Sequence, residues 1–161
     1  MLAILKDAPS ASTLSSNELT ETAMKEIVFE LARVKSRQDV EAALAIYHPD
    51  GVLLAPPMNA RSEGSAQLRK GLERFFQLAP DYAVQLDGLS ADGDTLCGWG
   101  KIAFTPAFTF RGDKPNGSRI ETPAFILFRF RDCKIIWESF HFDLADVARQ
   151  AGVPAEAYHR T

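Results

Sequence analysis

The chain is poor in the residues that staple or metallate small proteins. It holds two cysteines, Cys97 and Cys133, and three histidines. Two cysteines cannot build a disulfide framework, so stability must come from a packed core. A reduced, cytosolic pair is the expectation. His48, His141 and His159 show no ligand spacing, and no cysteine cluster accompanies them, so no metal is expected. Basic residues never run beyond two in a row, and the formal charge is −3 with a pI near 5.6. A nucleic-acid binder usually carries a basic stripe, so no nucleic-acid partner is expected. No apolar run approaches the ~20 residues of a membrane span. The opening stretch from Met1 to Asp7 has too short an apolar run for a signal peptide and no basic region before it. Together these absences predict a cytoplasmic protein that does not touch a membrane. Phosphate loops and nucleophile elbows are missing too. The triplet Gly98, Trp99, Gly100 sits inside a strand pattern with no helix after it, so it is no dinucleotide fingerprint. No cofactor is expected.

What the chain does contain is aromatic and apolar bulk. Its 161 residues suffice for one domain with a sizeable core and are few for two. Apolar residues make up 46% and charged residues 24%, an ordinary globular balance. Eleven phenylalanines predict a wide, aromatic interior.

Residues 1–16 include a stretch rich in Pro, Ser, Ala and Thr, which reads as a loose arm ahead of a domain over 17–161. Asn17 suits the N-cap of a helix reaching about Arg37, with Met24, Ile27, Val28 and Leu31 as its apolar stripe. Asp39 caps a second helix through Tyr47, and His48 to Gly51 break it. Val52–Ala55 reads as a short strand and 58–64 as a loop. A third helix runs from Ser65 to about Leu78 and buries Leu68, Leu72, Phe75 and Phe76. Then the period changes to two. Strands are expected over 81–89, 95–105 and 120–130, with a further strand piece at 107–111. A hairpin turn is expected at Asp92-Gly93, and a polar loop over 111–117 could overhang a cavity mouth. The glycines around Trp99 suggest a bend or a close backbone approach. The strand 120–130 is apolar on both faces at its centre and belongs in the middle of the sheet. A final strand, Lys134 to Asp143, feeds a short helix stopped by Gly152. Helices first and strands afterwards make an α+β fold, a curved antiparallel or mixed sheet wrapped around the N-terminal helices.

This order resembles the nuclear transport factor 2-like cone fold, and the details resemble its SnoaL-like polyketide cyclase relatives. The resemblance rests on Tyr47 to Gly51 leading into a strand, Gly64 to Leu68 opening the third helix, and Ala79 to Asp81 closing it. Its most specific piece is Lys134 to Glu138 through Phe142-Asp143, then Arg149, Gln150 and Gly152. His141 departs from the tyrosine that many relatives carry there. The resemblance implies an apolar cavity, a small hydrophobic ligand, a homodimer formed through the sheet, and an acid/base role for Asp143.

In a regular last strand Trp137, Ser139, His141 and Asp143 share one face, and Ile136, Glu138, Phe140 and Phe142 the other. Asp143 in an apolar cavity would have its charged form disfavoured and could move protons at carbon next to a carbonyl. It could equally cap the following helix. His141 could orient the substrate oxygen or tune Asp143, or be a core histidine with a backbone partner. Tyr47, Trp99, Trp137 and Phe125 are the expected pocket walls. Glu138 is expected on the opposite face unless a bulge shifts the register. The function expected is cofactor-free aldol-type cyclisation or isomerisation of a hydrophobic carbonyl compound. The alternative is a non-catalytic hydrophobic-ligand-binding or assembly domain of the same fold.

Overall fold

A computed structural model describes residues 19–160. The proposed arm over 1–16, and Asn17 with it, lie outside the described residues. The first helix, α1 (Glu21–Ser36), is capped by Thr20, whose hydroxyl accepts from the Ala23 N–H at 3.1 Å. That replaces Asn17 as the cap. Glu21 in the first turn and Arg33 and Lys35 in the last complement the helix dipole. Met24, Val28, Leu31 and Val34 form its buried stripe.

Asp39 caps α2 (Val40–Ile46) as expected, accepting from Ala42 N–H at 3.0 Å. Strand β1 (Tyr47–Ala55) begins directly afterwards. The expected break at His48 to Gly51 is present as a kink in that strand, where the register to its neighbour jumps between Tyr47 and Val52. Pro49 has no N–H for the ladder, which explains the interruption. A 3₁₀ turn (Pro56–Met58) leads into β2 (Ala60–Glu63). The sequence expectation of a plain loop there is corrected: β2 pairs back on β1 from Val52–Glu63 to Ala55–Ala60. Next, α3 (Gly64–Leu78) buries Leu68, Leu72 and Phe76.

The meander is β3 (Ala83–Asp92), β4 (Thr95–Phe104), β5 (Ile120–Arg131) and β6 (Lys134–Phe142), and α4 (Leu144–Ala151) closes the fold. The β3–β4 hairpin turns at Gly93 with φ +60°, as its Asp-Gly pair predicted. The β5–β6 hairpin turns on Asp132 and Cys133, both left-handed with φ 51° and 58°. Gly152 ends α4 at φ +70°. The six strands form one mixed, curved sheet in the order β2-β1-β6-β5-β4-β3, with β1 and β6 parallel. So β5 is interior to the sheet, as its composition predicted.

Residues 107–111 form no strand. Both edges of β4 are already taken, by β3 and β5, so no ladder is open to them. They bond elsewhere: Ala107 N–H to Leu78 O, and Phe110 N–H to Ala157 O. The 111–117 loop contributes no residue to the wall of the main cavity. Its Asn116 is pinned to the carbonyls of Ala151 and Gln150. Both cysteines are free thiols. Among the described residues no helix is long and apolar enough to cross a membrane.

Candidate functional site

Strand alternation divides the sheet residues between two faces. On β5, Ala124, Ile126, Phe128 and Phe130 are buried, while Phe125 and Arg129 are exposed. The buried set faces α1 and α3, and a cavity remains between them. Its empty volume is about 780 Å³ including its open mouth. Val28, Leu31, Leu72, Phe75, Ile126 and Phe140 give it a largely apolar wall.

Three charged side chains interrupt that wall: Lys35, Glu138 and Arg160. Glu138 is only 1% exposed. A carboxylate so deep must be paired. Lys35 Nζ reaches both its oxygens, at 2.9 and 3.0 Å. Tyr47, also buried, donates its hydroxyl to Oε2. Burial, reinforced by the Glu138 charge and hydrogen bond, holds the Tyr47 phenol well above its ordinary pKa. Burial and the same charge raise Tyr82. Tyr47 therefore stays protonated at neutral pH and remains a donor.

The donor count has a chemical consequence. An ionised carboxylate offers about four acceptor positions, and an ammonium three donors. Lys35 and Tyr47 occupy three acceptor positions on Glu138, two on Oε2 and one on Oε1. One acceptor position on Oε1 and one N–H of Lys35 are left over, and both residues line the cavity.

The expected site residues divide between the two faces. Tyr47 lies inside, though as partner of Glu138 and not as cavity wall. Phe125, Trp99 and His141 are ladder neighbours of one another on the outer face. Trp137 is there as well, with Arg129 stacked over its ring at 5.4 Å. Trp99, Trp137 and Phe125, expected as pocket walls, and His141, expected beside the substrate, are not among the residues that line this cavity. Trp99 lies against Gly88, where a Cβ would stand 2.1 Å from its ring. His141 Nε2 pairs with Ser139 Oγ at 2.7 Å. Asp143 is exposed and caps α4, accepting from Asp146 N–H at 3.0 Å. Among the described residues no hydrogen bond or ion pair joins His141 to Asp143. Both border a shallow groove with Phe125 and Thr122 on the outer side.

The cause is a bulge. In the β5–β6 ladder Phe130 faces Ile135 and Arg129 faces Trp137, which leaves Ile136 unpaired. One extra residue reverses the alternation. Ile135 points inward, and after the bulge so do Glu138 and Phe140. Sequence reasoning named this exception but set Glu138 aside. The missing signal was its partner Lys35, 103 residues away in the chain.

A model of the SnoaL-like domain family matches residues 28–138. No curated protein sequence matches the chain significantly. Among solved structures, a provisionally named SnoaL-like polyketide cyclase from Jannaschia sp. CCS1 is similar. It is 20% identical, the match covers 89% of this chain and 99% of that one, and the TM-score is 0.73. A hypothetical protein with a ketosteroid isomerase-like fold from Catenulispora acidiphila DSM 44928, in complex with trimethylamine, is 19% identical over 81% and 95% of the two chains, with a TM-score of 0.69. TerC, co-crystallised with polyporic acid, is 16% identical over 81% and 98%, with a TM-score of 0.67. At these identities the structures establish the α+β cone fold.

Proposed function

The chain belongs to the SnoaL-like domain family, and from that premise we propose that it is a cofactor-free enzyme moving protons on a hydrophobic carbonyl compound held in the cavity. The observation that carries this reading is the leftover pair of positions on Glu138 and Lys35, inside an apolar wall. Glu138 Oε1 takes the proton from carbon next to the carbonyl. The Lys35 N–H stabilises the enolate oxygen that forms. Tyr47 holds the carboxylate in place. Returning the proton to a different carbon gives isomerisation. Attack of the enolate on a second carbonyl of the same molecule closes a ring, and the new alkoxide recovers the proton from Glu138. Small molecules bound to structural relatives, trimethylamine and polyporic acid, accord with a cavity that takes small ligands.

The test is hydrogen–deuterium exchange at the α-carbon of 2-tetralone in D₂O, followed by NMR. Wild type should accelerate exchange over buffer, and an excess of a non-enolisable aromatic ligand should suppress it. A protein that binds the ketone without accelerating exchange would be the alternative, a hydrophobic-ligand-binding domain.

The resemblance gave the acid/base role to Asp143, expected in an apolar cavity, whereas Asp143 and His141 border the outer groove. The same assay separates the sites. Asp143→Asn should keep full exchange activity and near wild-type stability, since asparagine caps as well as aspartate. Asp143→Ala should lose about 1 kcal/mol through the cap, again with activity intact. A hundredfold loss of exchange in a folded Asp143→Asn protein would move the chemistry to the groove.

The outer face also bears on assembly. Trp99 and Phe125 are 44% and 43% exposed, side by side, with partly exposed Leu127 and Trp137 nearby. A homodimer through this face covers them. Sedimentation should give a dimer at micromolar concentration, and Trp99→Glu with Phe125→Glu a folded monomer. A monomeric wild type would remove the dimer from the proposal.

A further inference from the structure

The cavity has a second charged feature that proton transfer does not use. Lys35 and Glu138 neutralise each other. The third charge, Arg160, has no such partner. It forms no ion pair among the described residues, and neither does its neighbour Arg74. Among the described residues Arg160 Nε is buried without a hydrogen-bond partner, an arrangement that costs free energy unless something fills it. The backbone there is fixed: Arg160 N–H donates to Met58 O at 3.0 Å, and its carbonyl accepts from Asn59 Nδ2 at 3.4 Å. Phe110 steers the guanidinium, with Arg160 at 5.3 Å from its ring centroid and Arg74 at 4.9 Å. Burial, and then Arg74, push the Arg160 pKa below its ordinary value, so a nearby negative charge would relieve both. Arg160 borders the same cavity as Glu138. Phe140 lines the same cavity two residues beyond Glu138 on β6, and β6 packs against the 3₁₀ turn whose Met58 carbonyl accepts from Arg160 N–H.

We infer that Arg160, seconded by Arg74, is a specificity residue for a carboxylate on the ligand, so the cavity takes an aromatic or polycyclic acid and not a neutral hydrocarbon. The guanidinium offers a planar fork that matches a carboxylate with two parallel hydrogen bonds. The apolar body then lies along Phe140 and Ile126 toward Glu138. This inference rests on the cavity being the ligand site, as proposed above.

The test is calorimetric titration of the full chain with 2-naphthoate and with its neutral near-isostere 2-naphthamide. Wild type should bind the acid more tightly than the amide. Arg160→Met keeps the apolar stem and should weaken naphthoate binding about 10- to 100-fold, the scale of a lost charge-assisted hydrogen bond, while leaving the amide unchanged. Should that variant fail to fold, Arg74→Met on the exposed side of α3 serves in its place, with a loss of about threefold for the acid alone. Amide binding equal to acid binding in wild type overturns the inference and leaves the cavity reading standing. So does an unchanged acid affinity in folded Arg160→Met. Failure of both probes to bind wild type overturns the cavity reading and the inference together.

Discussion

Glu138→Gln is expected to lose 2-tetralone exchange by about 10²–10⁴-fold, the usual contribution of a positioned acid/base group. It is also expected to be less stable. Glutamine removes the charge that lets Lys35 stay inside, where the lysine side chain is only 12% exposed. Removing one partner of a buried pair costs about 3–5 kcal/mol, because the other charge stays buried. The low end applies here, since Lys35 keeps some contact with water. At this chain length about 3 kcal/mol lowers Tm by roughly 6–12 °C. The two losses have different origins, and a second variant separates them. Replacing Lys35 by Met, Glu138 by Leu and Tyr47 by Phe together removes every buried polar group of the triad. Buried ion pairs replaced by apolar side chains are often neutral or stabilising. The triple variant should therefore recover most of the lost Tm while staying inactive. Exchange at the wild-type rate in either variant would reduce Glu138 to a structural tie between α1 and the sheet.

Gly100→Ala is expected to cost about 3 kcal/mol or more, although it adds one methyl group. The Cβ would stand 1.9 Å from the Gln85 carbonyl oxygen, 2.9 Å from Gln85 C and 3.0 Å from Leu86 Cα. All three are backbone atoms, so no side chain can turn aside. The close approach exists because β3 is irregular: Gly100 pairs with Leu86, Trp99 pairs with Gly88, and Asp87 is left over. That bulge sets Leu86 into the cavity wall. A strained Gly100→Ala protein should thus disturb ligand binding along with stability. Gly93→Ala is the control. It has φ +60° but nothing within 4 Å of a new Cβ, so only the left-handed backbone is strained, by about 1 kcal/mol. Urea unfolding of the two variants checks the difference. Equal, small losses would mean that β3 and β4 do not approach as described.

Much of the fold was legible locally. Asp39 and the Met24, Val28, Leu31 stripe announced their helices by capping chemistry and helical spacing. Asp92-Gly93 announced a hairpin, because few residues tolerate the left-handed turn. The glycines flanking Trp99 announced a close backbone approach. The misses were non-local. Residues 107–111 have strand-like composition, yet β4 had no free edge for them. Residues 60–63 read as loop because their strand character comes from pairing with β1.

The sequence by itself determined the α+β order of elements, the family, the interior place of β5 and, beyond the bulge at Ile136, the membership of each face of the last strand. Trp137, Ser139 and His141 do share a face, and Glu138 and Phe140 share the other. Only the tertiary structure decided which face looks inward. Alternation has a phase that sequence does not supply when both faces mix aromatic and polar residues. The usual guide, that a charged residue stays outside, fails when a partner comes in with it. For Glu138 that partner is Lys35 on the last turn of α1, delivered by the packing of a helix against a sheet strand 103 residues later.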